Sequence, residues 1–208
     1  MVHRRSIEGE AVVFGNHGAL WGNAMTWFDH DTGTIWSQPI GEAIVGPLKG
    51  TTLELLPSTL TEWGEWKRLH PDTKALNAPG APTGFALDQM SIVVVLGEDS
   101  AAYPVPDLTD VANDTINDIP IAVVVEPGEG ESWAVFSRTL DDGAVVELEF
   151  SESGDLIDTV TGSTFHVSRG TGISGPLADQ TLDQLPGFTS FAKDYFTFYP
   201  DGRLWSET

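Results

Sequence analysis

Asp29-His30-Asp31-Thr32-Gly33-Thr34-Ile35-Trp36-Ser37-Gln38 returns in altered form as Asp158-Thr159-Val160-Thr161-Gly162-Ser163-Thr164-Phe165, 129 residues further on. The flanking Gly41-Glu42-Ala43-Ile44-Val45-Gly46-Pro47-Leu48 returns at the same spacing as Gly170-Thr171-Gly172-Ile173-Ser174-Gly175-Pro176-Leu177. The register holds through Leu53/Leu182, Leu56/Leu185, Pro57/Pro186, Pro71/Pro200 and Asp72/Asp201. Upstream, Arg5 to Val13 matches Arg138 to Val146 at an offset of 133, which places four extra residues of the first copy between Phe14 and Asn23. The pattern predicts an internal duplication.

Each Asp-x-x-Thr-Gly element lies between apolar runs. An aspartate opening a turn accepts hydrogen bonds from amides two and three residues on, and glycine takes the left-handed position that closes it. Each is therefore expected to be a hairpin tip. Asp29-x-Asp31-x-Gly33 also has the form of the start of a calcium loop, but the downstream ligands that such a loop needs are missing.

Thr59-Leu60-Thr61-Glu62 has the form of a capping box, Leu60, Trp63 and Trp66 recur at helical spacing, and His70-Pro71 stops the run. In the second copy, Thr189 or Ser190 opens a helix carrying Phe191 and Tyr195, and Tyr199-Pro200 ends it. The aromatic residues are expected to pack these helices onto sheets. Between the copies, Asn77 to Pro82 reads as a linker. Ser91 to Leu96, Ala101 to Pro104, Ile119 to Val125 and Ser132 to Phe136 read as strands.

The expected architecture is mainly β (α+β), an internally duplicated, pseudo-symmetric β body with one short helix per copy. It reads as a single interlocked domain over 1–208, with copy one at 4–77, a strand-rich insert at 78–131 and copy two at 132–208. About 75 residues without disulfides make a thin core for a separate domain. Copy one has no counterpart of the strand pair that leads into copy two, so a strand edge is expected to need cover, or the N-terminus to be shortened.

Composition narrows the function. The 31 acidic residues against 10 basic ones give a net charge of -21, which argues against nucleic-acid binding. The absence of cysteine rules out disulfides, thiolate metal sites and a cysteine nucleophile. No apolar run has the length of a membrane span and no signal-peptide core follows the first residues, so the chain reads as soluble, and as extracytoplasmic if its N-terminus is shortened. No phosphate loop or dinucleotide fingerprint occurs, so no nucleotide cofactor is expected.

The string from Phe14-Gly15-Asn16-His17-Gly18 through Asp29 to Gln38, Gly41-Glu42-Ala43-Ile44 and Gly46-Pro47-Leu48 resembles a prokaryotic family known as domain of unknown function 3179. Ala102-Tyr103-Pro104, Asn113-Asp114 and Pro120 to Val124 resemble the strand set that precedes the repeat unit in that family. Many members have a Thr-Tyr-Cys-Pro-x-Cys segment before the element that is Arg4-Arg5-Ser6-Ile7-Glu8-Gly9 here. This chain lacks it, so a thiol role does not carry over. The resemblance implies no activity.

Residues shared by both copies are best explained by the fold, and residues present in only one are freer to serve function. That argument selects His17, His30, Asp31, Ser37, Gln38, Glu42, Trp63, Glu65 and His70 in copy one, and His166 and Arg169 in copy two. The expected function is a binding or scaffold module for a small-molecule, glycan or protein ligand, with a cleft near the copy-one hairpin tip. The alternative is metal-assisted hydrolysis or lyase chemistry, with His17, His30 and Asp31 as candidate ligands of a divalent metal and His30, Asp31, Ser37 and Glu42 as candidate catalytic groups. Ser37 has no nucleophile-elbow glycines around it.

Overall fold

The computed structural model describes residues 1–75, 87–127 and 132–206. The chain begins with β1 (Ser6–Ile7) and β2 (Glu10–Ala11), followed by β3 (Phe14–Trp21), β4 (Ala24–Asp29), β5 (Ile35–Ser37), β6 (Ala43–Val45) and helix α1 (Trp63–Leu69). The middle contains β7 (Ser91–Leu96), β8 (Asp99–Pro104), β9 (Ala112–Ile116) and β10 (Ile119–Val125). The rest comprises β11 (Trp133–Ser137), β12 (Leu148–Phe150), β13 (Leu156–Asp158), β14 (Thr164–Phe165), β15 (Gly172–Ser174), β16 (Gly187–Ser190), α2 (Ala192–Phe198) and β17 (Arg203–Leu204). The protein is mainly β. The expected linker from Asn77 to Pro82 lies outside the described residues.

Two meanders share one plan. The sheet β3-β4-β5-β6 and the sheet β12-β13-β14-β15 have the same order, and Trp27 faces Trp36 where Leu156 faces Phe165. Their tips carry matching bonds. The amide of Gly33 donates to the Asp29 carbonyl at 3.0 Å, and that of Gly162 donates to the Asp158 carbonyl at 2.8 Å. Thr32 and Thr161 each donate backbone N–H and hydroxyl to the aspartate three residues back. The Asp29 carboxylate is fully buried and also accepts Trp36 Nε1–H at 3.0 Å. It is occupied by its own turn, so the Asx-turn reading holds and no calcium loop forms there. Burial pushes both aspartates up, but the bonds from Trp36 and Thr32, and from Thr161 and the Glu147 amide, outweigh it and leave both pKa values lowered.

The hairpins themselves differ. Phe14 pairs with Asp29, and Leu148 pairs with Asp158. The first loop is therefore longer by five residues, one more than the sequence offset implies. The turn after Arg138 has one residue more than the turn after Arg5, which hides the fifth.

Two further sheets, β16-β7-β8-β17 and β11-β10-β9, lie between the meanders in sequence. Their strands alternate with period two. Ile92 and Val94 of β7 share a core with Ile121 and Val123 of β10, whereas Ala122 and Val124 point into a second core with Phe136, Leu148 and Leu156. β16 and β17 were missed in the sequence. Thr189 and Ser190, expected to open a helix, pair instead with Ile92 and Ser91.

The helices also depart from expectation. α1 begins after Glu62 without a side-chain cap, because the Thr59 hydroxyl is used elsewhere: it accepts from Gln184 Nε2 and donates to the Ser168 carbonyl at 3.5 Å. α1 has no buried residue, and Trp63 and Trp66 are 49% and 40% exposed. Only α2 packs as expected, through Tyr195, which is 1% exposed.

Candidate functional site

Five of the sequence candidates stay apart. His17 is exposed and its Nδ1 meets the Thr26 hydroxyl at 3.0 Å. His30 is exposed and stacks on Phe28 with ring centroids 4.9 Å apart, and Asp31 is exposed on the tip. Ser37 is buried with an unpartnered hydroxyl, while Glu42 is half-buried and bridges to Thr52. The Gln38 carbonyl accepts from or faces His3 Nε2 at 2.9 Å. Among the described residues, no group of three or more His, Asp or Glu side chains is placed to hold a metal ion. The metal-assisted alternative gains no support from this arrangement.

Four other candidates from the same comparison of copies are neighbours across the fold. Glu65 on α1 reaches His166 in the turn after β14, with Oε1 3.3 Å from Nε2. Arg68, one turn along α1, donates to both Glu65 oxygens at 3.0 and 2.6 Å. His166 Nδ1 accepts from the Ser168 amide at 3.3 Å, which leaves the proton of a neutral ring on Nε2, facing Glu65. Burial lowers the His166 pKa, with Arg169 and Arg68 adding to the shift and Glu65 opposing it. The Arg68 bond holds Glu65 below the usual carboxylate range.

Two clefts flank this pair. One, of about 310 Å³, lies between Glu65, Arg68, His166 and the β12–β13 tip at Gly154 and Asp155. The other, of about 590 Å³, is a groove whose walls include Trp66, His70, Thr61, Ser168, Arg169 and Gln184. Trp66 and His70 form one wall with centroids 4.0 Å apart, and Trp66 Nε1–H is held by the Thr73 hydroxyl at 3.0 Å. The Thr61 hydroxyl is buried without a hydrogen-bond partner, and Arg169 has no hydrogen-bond or ion-pair partner among the described residues. Lys67, Arg68 and Arg169 are three of the chain's 10 lysines and arginines, so this place is locally positive on an acidic protein.

The groove has a closed counterpart 129 residues away. There, Tyr199 occupies the place of His70, and its hydroxyl donates to the Pro39 carbonyl at 3.3 Å, Pro39 being the counterpart of Ser168. The long β3–β4 hairpin covers α2: Trp21 meets Phe198 edge-on at 5.4 Å and Asn23 Nδ2 donates to Asp194 at 3.3 Å. The shorter β12–β13 hairpin cannot reach α1 in this way. The groove is therefore the place where the shorter hairpin and His70 leave space.

Sequence reasoning missed Ser168, Arg68, Thr61 and Gln184. Gln184 was detectable, since it stands where copy one has Leu55.

Fold and site define a mainly β protein with a polar groove between its first helix and its second meander. A family model described as Protein of unknown function (DUF3179) matches residues 1–86, so the chain resembles that family over its first meander and α1. The strand set from Ala102 to Val124 lies outside the matched span. No curated protein and no solved structure matches the chain. Among the described residues, no helix is long and apolar enough to cross a membrane.

Proposed function

We propose that the protein is a binding module whose ligand is an acidic glycan segment, held in the groove between α1 and the turn from His166 to Gly170. The observation that carries this reading is the unpartnered Arg169 guanidinium beside the buried, unpartnered Thr61 hydroxyl in a groove of about 590 Å³. Polar groups left unpaired at a concave surface are costly until a ligand pairs with them. A carboxylate suits Arg169, sugar hydroxyls suit Thr61, Gln184 and His70, and the partly exposed Trp66 ring offers an apolar face for a pyranose.

In this reading the two meanders and the intervening sheets act as a single interlocked body. Leu60 bridges to Trp133, β16 adds to β7, and Glu65 reaches His166, so the groove depends on both halves.

Calorimetric titration with an oligogalacturonate and with its uncharged methyl ester tests the proposal. The acid is expected to bind saturably, Arg169→Ala to abolish its advantage over the ester, and Trp66→Ala to weaken both. Equal heats from wild type and Arg169→Ala would sink it.

A further inference from the structure

The outer edge of the first residues presents a second unsatisfied surface, independent of the groove. The Arg4 amide donates to the Glu54 carbonyl and the Leu56 amide to the Val2 carbonyl, both at 2.8 Å. In an antiparallel bridge of this kind the N–H and C=O of the residue between, His3, point to the opposite side. No backbone partner meets them there among the described residues. Unpaired edges of this kind are templates for another strand.

Copy two shows the same edge occupied. The Ser137 amide donates to the Asp183 carbonyl at 2.8 Å and the Leu185 amide to the Val135 carbonyl at 2.9 Å, so Phe136 corresponds to His3. On its other side Phe136 lies opposite Ala122 of β10. Ala122 and Val124 then fill the core formed with Phe136, Leu148, Leu156 and Leu182. The matching positions of copy one, Phe14, Trp27 and Leu53, line an apolar cleft of about 380 Å³ together with Met1, Val2 and Val13. Val135 is fully buried, whereas its counterpart Val2 is 48% exposed.

The arginines complete the parallel. Arg138 Nη1 donates to the Val146 carbonyl at 2.9 Å, and Arg5 Nη1 donates to the Val12 carbonyl at 3.2 Å. Arg138 uses its remaining donors on the added strands, Nε to the Ile121 carbonyl at 3.0 Å and Nη2 to the Asp114 carbonyl at 3.4 Å, while its amide takes the Pro120 carbonyl at 2.9 Å. Arg5 holds the same first bond, and its Nε, Nη2 and amide have no partner among the described residues.

The geometry points to strand addition at this edge: an extended segment of another polypeptide, with small or β-branched apolar residues at alternate positions, pairs antiparallel with Met1 to Arg5 and fills the cleft beside Trp27. The chain's own β10 cannot serve, because both its edges are taken by β9 and β11. Main-chain bonds give the segment its direction, Arg5 clamps two of its carbonyls, and the cleft selects a small residue opposite His3.

The test uses the intact protein and a capped synthetic peptide with the sequence of residues 110–126, the hairpin that fills the equivalent place in copy two. Saturable binding is expected, with slowed hydrogen exchange at the His3 and Arg5 amides and no change at Ser137. Val13→Asp and Arg5→Ala should each weaken it by about tenfold, the scale of one charge-assisted hydrogen bond or a lost apolar contact, without shifting the thermal midpoint. A peptide carrying Ala122→Glu should not bind. Absence of saturable binding, equal binding of the Ala122→Glu peptide, or a dimer of this chain with the His3 amide already protected would each overturn the proposal.

Discussion

The two helix junctions are built on one plan and end in opposite states. Around α2, Tyr195 is buried against Phe188, Val93 and Ala102 and bonds to the Ser100 hydroxyl at 2.8 Å, Tyr199 spans to Pro39, and the long hairpin lies over Phe198. Around α1, the corresponding Trp66 and His70 stand at a groove. The difference rests on five residues of hairpin length and a few side-chain exchanges. A junction that is filled contributes to stability; its counterpart, left open, has polar groups free for a ligand.

Breaking the closed junction should have the largest effect. Tyr195→Ala removes a fully packed ring and is expected to cost about 3–5 kcal/mol, whereas Trp66→Ala at the matching position should cost less than about 1 kcal/mol. Urea unfolding of both variants checks this. Equal costs would mean that the open junction is closed in solution.

Glycine at the two hairpin tips gives a finer comparison. Gly22 has φ +56°, and an added Cβ would lie 2.8 Å from Thr197 Cγ2 and 2.9 Å from Phe198 Cζ. Gly154 has φ +84° and open space around it. Gly154→Ala should cost only the backbone strain of about 1–2 kcal/mol, and Gly22→Ala should exceed it, since the helix must also shift. Thermal melts of the pair measure the difference.

Acid should act on the shared frame before it acts on the groove's chemistry. The lowered pKa values of Asp29 and Asp158 mean that their contribution is present above the unfolded carboxylate value and is lost as pH falls through the folded one. The urea midpoint should fall steeply below about pH 4, and Asp29→Asn should flatten that limb. His166 gives the smallest effect. Its folded pKa lies below the ordinary 6.5, so the unfolded state takes up the proton first and stability declines modestly as pH drops below that value. His166→Gln should remove this shoulder, which a pH series of melts would resolve.

Much of the frame was legible because it depends on local chemistry. Asp29, Thr32 and Gly33 dictate a turn whatever surrounds them, and the alternation in Ile119 to Val125 marks a strand buried on both faces. Tertiary pairing was not legible. The capping box at Thr59 failed because Gln184, 125 residues away, takes its hydroxyl. β16 was hidden because its partner β7 is remote in sequence. At the site, comparing copies selected Glu65, His70, His166 and Arg169, which meet, but also His17, His30, Asp31, Ser37 and Glu42, which do not. An exchanged residue marks freedom from the fold, and only the fold says which free residues face each other.

The most direct test of the open junction as a ligand site follows the tryptophan indole N–H resonances by NMR during titration with oligogalacturonate. The account predicts that Trp66 shifts in proportion to occupancy while Trp21, at the closed junction, and buried Trp36 stay fixed. Movement of Trp21 with Trp66 unmoved would contradict it.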